Sequence, residues 1–172
     1  IRDPLGSQIT EHGLPEPMNR LLIDGYSLLY RDPALDKLRL GDFRKARESV
    51  IRRIDRLSSA LAPLVELVFD GRDQGSREQV DVSSLHLIYS PAPRTADSLI
   101  EEMVAASPDP VNICVVTSDR LERDVVTAAG AEAMSCAAFL ERLDELERNV
   151  SRTLKTSAAT KRFTLGDAFP HS

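Results

Sequence analysis

Short apolar runs of β character alternate along this chain with longer segments of helical period, and that alternation restricts the fold more than any other feature. The runs are Leu21-Leu22-Ile23, residues 64–69, 85–89 and 111–116, and the pair Ala133-Met134. Residues 42–62 carry Phe43, Ala46, Val50, Ile54, Leu57 and Leu61 at steps of three and four, which predicts a helix. Thr95 is placed to N-cap a second helix holding Asp97, Leu99, Ile100, Met103 and Val104, and Gly130 to close a third that begins after Asp119. A last helix follows Ser135 with Phe139, Leu140, Leu143, Leu146 and Val150. The order βαβ, then β, then αβαβα, predicts an α/β fold with a central, mostly parallel sheet of about five strands.

A chain of 172 residues can bury one proper core without disulfides or structural zinc. With 42% hydrophobic and 28% charged residues, and no apolar run near the ~20 residues of a bilayer span, membrane and disordered classes drop out. Cys114 and Cys136 form neither a disulfide framework nor a metal knuckle, so a reducing compartment, the cytoplasm, is expected. Residues 1–18 hold Pro4, Pro15, Pro17, Gly6 and Gly13 without periodicity and read as an arm or linker, residues 19–150 as the domain. From Ser151 onward Arg152, Lys155, Lys161 and Arg162 face only Asp167, and residues 151–172 read as a basic tail. The net charge of −5 argues against nucleic-acid binding by bulk charge alone.

The placement of the acids is more informative than their number. Asp24, Asp70 and Asp119 each fall just past the end of a predicted strand, and Asp97 opens the helix after another. Strand ends of a parallel sheet share one edge, and open α/β sheets bind ligands outside that edge. Each acid has a structural alternative: Asp119-Arg120-Leu121-Glu122 fits a capping box, Asp97 suits a helix N-terminus, and both Asp-Gly pairs are common turns. Capping does not require four acids on one sheet edge, with no Lys or Arg directly beside Asp24, Asp70 or Asp97.

Clustered carboxylates repel unless a cation neutralises them. An all-oxygen donor set selects a hard ion, Mg²⁺ or Mn²⁺. Such a site suits in-line attack of water on a phosphodiester. The chain has no GxxxxGK[ST], GxGxxG or GxSxG motif, and His12, His86 and His171 lack ligand spacing.

Four motifs in order, Leu22-Ile23-Asp24-Gly25-Tyr26-Ser27-Leu28-Leu29, Val68-Phe69-Asp70-Gly71, Thr95-Ala96-Asp97-Ser98-Leu99-Ile100 and Val116-Thr117-Ser118-Asp119-Arg120, resemble those of the YacP-like NYN family of the PIN-like nuclease superfamily. The similarity runs from about Arg20 to Leu146. It implies a three-layer α/β/α sandwich and a Mg²⁺- or Mn²⁺-dependent endoribonuclease. By matched position, Asp24, Asp70, Asp97 and Asp119 would be the catalytic, metal-binding acids, with Glu101 and Asp124 as supporting candidates. Ser27 stands where the family motif carries Asn. One hydroxyl replaces an amide that both donates and accepts, which motivates an alternative: a weakened or inactive RNA- or ribosome-binding module of the same fold.

The expected partner is RNA, and relatives of the family suggest the ribosome as the particle presenting it. Arg72, Arg77, Arg94 and Arg120 flank the motifs and are the expected phosphate contacts. Tyr26 is placed to stack on a base or to pack beneath the site, the second being favoured. The helix basics Arg44, Lys45, Arg47, Arg52, Arg53 and Arg56 read as a solvated face balanced by Asp42, Glu48 and Asp55. Oligomeric state is not legible.

Overall fold

The computed structural model describes residues 8–9, 15–16, 18–71, 82 and 84–166. Gln8–Ile9 and Pro15–Glu16 pair as a separate two-stranded antiparallel ribbon. The central sheet has five strands, all parallel: β1 (Arg20–Asp24), β2 (Leu64–Phe69), β3 (Leu85–Tyr89), β4 (Ile113–Val116) and β5 (Glu132–Met134). Their spatial order is β3-β2-β1-β4-β5. Among the described residues six α-helices accompany them: α1 (Gly25–Arg31), α2 (Asp36–Gly41), α3 (Phe43–Leu61), α4 (Ala96–Ala105), α5 (Arg120–Ala128) and α6 (Cys136–Gly166).

The apolar runs are continuous rather than alternating because helices cover both faces of the sheet. Along β1, Leu21 and Ile23 join the core beneath α1, α3 and α6, while Leu22 points the other way, toward α4 and α5. The same partition recurs on β2, where Leu67 and Phe69 oppose Val68, and on β4, where Cys114 and Val116 oppose Val115. Period-two side-chain direction thus sorts one apolar run into two cores, and the α/β/α sandwich follows.

Local chemistry sets the helix ends. Thr95 caps α4 by accepting from the Ser98 N–H at 3.2 Å. Gly130, at φ +98°, closes α5: its N–H reaches the Thr127 carbonyl and the Ala131 N–H reaches Val126, both at 3.0 Å. Three boundaries differ from the sequence expectation. The stretch after Asp24 turns into α1 and α2, because a side-chain cap lets a short helix start directly at the strand end. The fourth strand begins at Ile113, two residues late, since Pro110 opens a 3₁₀ turn that leaves Val111 exposed. Helix α6 runs through Ser151 to Gly166, so the basic segment up to that point continues the helix.

The basic helix α3 follows the expectation in part: Arg44, Lys45, Arg52 and Arg56 are exposed and Lys45 pairs with Asp42 at 3.3 Å, whereas Arg53 and Arg47 depart from it. Arg53 forks to Asp144 and Glu147 of α6 and to Asp32 after α1, and Arg56 also approaches Glu147. These acids hold the Arg53 guanidinium pKa above its ordinary value, against the opposing effect of burial. Arg47 is itself buried. The stripe is therefore partly an interhelical clamp rather than an open phosphate track.

Gly25 joins β1 to α1 and lies against the buried ring of Phe69, where an added Cβ would stand 2.4 Å from a ring carbon. That ring is wedged between Tyr26 and Tyr89, with centroids 5.2 and 6.0 Å away, and has no free direction of retreat. Gly25→Ala is expected to destabilise the fold by about 1–3 kcal/mol through overpacking, measured by denaturant unfolding at unchanged m-value.

Candidate active site

β1 and β4 are neighbours in the sheet, yet the chain leaves β1 toward β2 on one side and reaches β4 on the other. Connections diverge at this point, opening a crevice beyond the strand ends. A cleft of about 340 Å³ occupies it, lined by Asp24, Tyr26, Ser27, Tyr30, Asp70, Thr95, Ala96, Asp97 and Ser118.

Asp24, at the end of β1, is only 5% exposed. Its Oδ1 accepts the backbone N–H groups of Tyr26 and Ser27, both at 3.1 Å, fixing the carboxylate as the N-cap of α1. Helix α4 crosses over β1 and β2 and delivers Asp97 from its first turn. Helix α5 starts at the end of β4 and delivers Glu122. Carboxylate oxygens of Asp24, Asp97 and Glu122 all lie within 4.8 Å of one another.

Glu122 is the residue that the sequence reading assigned only to a cap. In a capping box its side chain would turn back to the Asp119 N–H, but the Thr117 hydroxyl accepts that N–H at 3.1 Å. Glu122 is instead directed inward, on the same buried face as Val126, while Leu121 and Val125 stay exposed. Both Glu122 carboxylate oxygens are buried and lack a well-formed hydrogen bond. Burial pushes the Glu122 pKa up to about 8; the Thr117 hydroxyl opposes the shift, and repulsion from Asp97, Asp24 and Asp119 adds to it. Burial likewise raises Asp97 to about 6, reinforced by Asp24, which lies within hydrogen-bonding reach, and by Asp119 and Glu101.

The remaining sequence candidates separate by position. Asp70 lines the cleft wall, outside the close group of three. Asp119 is exposed, and its Oδ1 accepts the N–H groups of Leu121 and Glu122 at 2.7 and 3.4 Å, so it caps α5 beside the group. Glu101 is half-buried one turn along α4 and acts on Asp97 through repulsion. Asp124, the supporting candidate two residues past Glu122, lies roughly 200° further around the helix and is exposed, apart from the close group of three. Ser27 faces the cleft in a hydroxyl chain, accepting from Ser118 Oγ at 3.0 Å and lying 3.4 Å from Thr117 Oγ1.

Tyr26 packs between Phe43 and Phe69, with centroids at 5.9 and 5.2 Å, the favoured expectation for it, while one side still reaches the cleft. Arg94 is exposed and drawn to Glu102 of α4, and Arg120 is exposed at the start of α5; neither lines the cleft. Arg72 and Arg77 lie outside the described residues.

The donor set fits a hard divalent cation. Among the described residues three carboxylates converge with no imidazole or thiolate in the group, and the two unpartnered oxygens of Glu122 are the kind of buried polar atoms that a cation satisfies. Because the folded-state pKa of Glu122 lies above its ordinary 4.5, this carboxyl favours folding below about pH 4.5, and the advantage is lost as pH rises toward about 8. In EDTA, thermal stability should therefore fall between about pH 5 and pH 8. Glu122→Gln should flatten that slope and raise stability at about pH 8 by roughly 1–3 kcal/mol. Added Mn²⁺ should raise the melting temperature of the unsubstituted protein more than that of the variant.

The sequence and the fold have counterparts among known proteins. The family model of the YacP-like NYN domain matches residues 21–170. The YacP protein of Bacillus subtilis (strain 168) is 27% identical over 146 residues, covering 84% of this chain and 86% of that one. The crystal structure of Rae1 (YacP) from Bacillus subtilis aligns with a TM-score of 0.72 at 27% identity over 86% of each chain. A mutant of the same protein aligns with a TM-score of 0.68 at 26% identity, over 83% of this chain and 85% of that one.

Proposed function

The chain belongs to the YacP-like NYN domain family, and from that membership we propose that it is a divalent-metal-dependent endoribonuclease that hydrolyses RNA phosphodiester bonds. The observation that carries this reading is the group of Asp24, Asp97 and Glu122 at the mouth of the sheet. We take these three as the ligands of a Mg²⁺ or Mn²⁺ ion, with Asp70 on the cleft wall and Asp119 beside them as further acids of the site. When bound, the ion would supply charge neutralisation and Lewis-acid activation of water and phosphate.

The protein's own groups prepare that chemistry. Two backbone N–H groups pin one oxygen of Asp24, so its orientation costs no reordering when substrate arrives. Burial and the neighbouring acids push the Glu122 pKa up to about 8, so its carboxyl favours a proton in the free protein and would give it up to serve as a cation ligand. The hydroxyls of Ser27 and Ser118 line the cleft and can donate to a phosphate oxygen or an ordered water, while the buried Thr117 hydroxyl lies behind them. Solvent entry through the open cleft brings the attacking water.

Ser27 favours a second reading, a binding module of the same fold with little or no turnover. The two separate in one experiment with purified protein, Mn²⁺ and single-stranded RNA. Turnover that depends on Mn²⁺ and falls on the order of a hundredfold or more in Asp24→Asn supports the nuclease. The variant should still fold, because Asn caps a helix about as well as Asp. Equal cleavage by both proteins would overturn the assignment of the acids, and RNA binding without cleavage would favour the module. Comparing free RNA with RNA presented on ribosomes tests the proposed presenting particle.

A further inference from the structure

Tyr30 stands one helical turn beyond Tyr26 on α1, and both side chains line the acid-floored cleft. The two rings are placed differently. Tyr26 is built into the aromatic layer of Phe43 and Phe69 beneath the site. Tyr30 is 60% exposed, touching Phe43 only at a tilt with centroids 6.1 Å apart. The Arg39 guanidinium carbon lies 4.7 Å from the Tyr30 ring centroid. Arg39 is itself tethered, donating to the Tyr30 carbonyl at 3.2 Å and to Asp36 Oδ1 at 2.8 Å. A large aromatic surface is thus kept in water at the rim of a polar cleft, braced by a cation and by the side of Phe43.

We propose that Tyr30, braced by Arg39, is the stacking platform for an unpaired base adjoining the phosphate at the acid group. The inference rests on the nuclease reading above. The cleft that holds Asp24 and Asp97 is also lined by Tyr30, which among its described lining residues is the exposed aromatic ring within reach of a base next to a phosphate at the acids. Stacking tolerates every base, because each has a π-face. A base inside a duplex has both faces covered by its neighbours and cannot use the platform. The guanidinium against the ring is held by Asp36 and the Tyr30 carbonyl, and it keeps the ring in place.

The test compares Tyr30→Ala and Tyr30→Phe in the Asp24→Asn background, so that bound RNA is not cut. Fluorescence anisotropy reads binding of a labelled single-stranded 12-mer and of the same RNA carrying one abasic nucleotide, scanned along its length. Tyr30→Ala should weaken binding about 5- to 150-fold, the range for one stacked base, and Tyr30→Phe less than about twofold. One abasic position should cost the parent protein a similar factor and cost Tyr30→Ala nothing further. The melting temperature should not move, since the ring is mostly exposed. Unchanged binding by Tyr30→Ala, an abasic loss equal in both proteins, or no RNA binding by the parent overturns the platform. RNA cleavage by the protein with Asp24 intact is measured alongside. Cleavage without the Tyr30 effect retains the nuclease reading and discards the platform, and the stacking pattern without cleavage does the reverse.

Discussion

Strand β1 is enclosed on both faces, and its apolar residues Leu21, Leu22 and Ile23 have no exposed surface. A strand buried this way must end abruptly where the chain meets polar surroundings, and here it ends at Asp24. The carboxylate is 95% buried yet anchored by two backbone N–H groups, so the end of the strand and the start of α1 are one structural event. The cleft is organised around that point. β4 runs parallel to β1 on the side away from β2, and α4 and α5 pack over the face that the two strands share.

The site brings like charges together in a buried setting. Hydrophobic burial elsewhere positions carboxylates where each raises the electrostatic cost of its neighbours, and burial adds to that cost for Asp97 and Glu122. Local rules would have given Glu122 a capping role at the surface. The Thr117 hydroxyl takes the N–H that such a cap would use, and Glu122 is left pointing inward with unpartnered oxygens. An acid held in this state is stabilised by protons or by a cation, which is why the free protein and an ion-loaded one should respond oppositely to rising pH.

Helix α1 links this electrostatic arrangement to packing. Its first residue, Gly25, permits contact with Phe69; its second, Tyr26, continues the aromatic layer; its sixth, Tyr30, reaches out to solvent beside Arg39. On the far side of the layer, Arg53 ties α3 to α6 and to Asp32, the residue that follows α1. The helix that carries the cleft's aromatic rim is therefore held at both ends.

Alternation of apolar runs with helical periods was enough to specify a parallel sheet, its strand ends and the placement of Asp24 and Asp97 near one edge, because these follow from side-chain periods of 2.0 and 3.6 along a single chain. The caps at Thr95 and Gly130 were legible for the same reason. Three features were decided only by tertiary structure: the closeness of Glu122 to the two aspartates, the outward turn of Asp124, and the division of labour between Tyr26 and Tyr30. Each depends on how far one helix is rotated against the sheet and against its neighbours. That rotation is set by the summed packing of both cores, so no local stretch of sequence contains it.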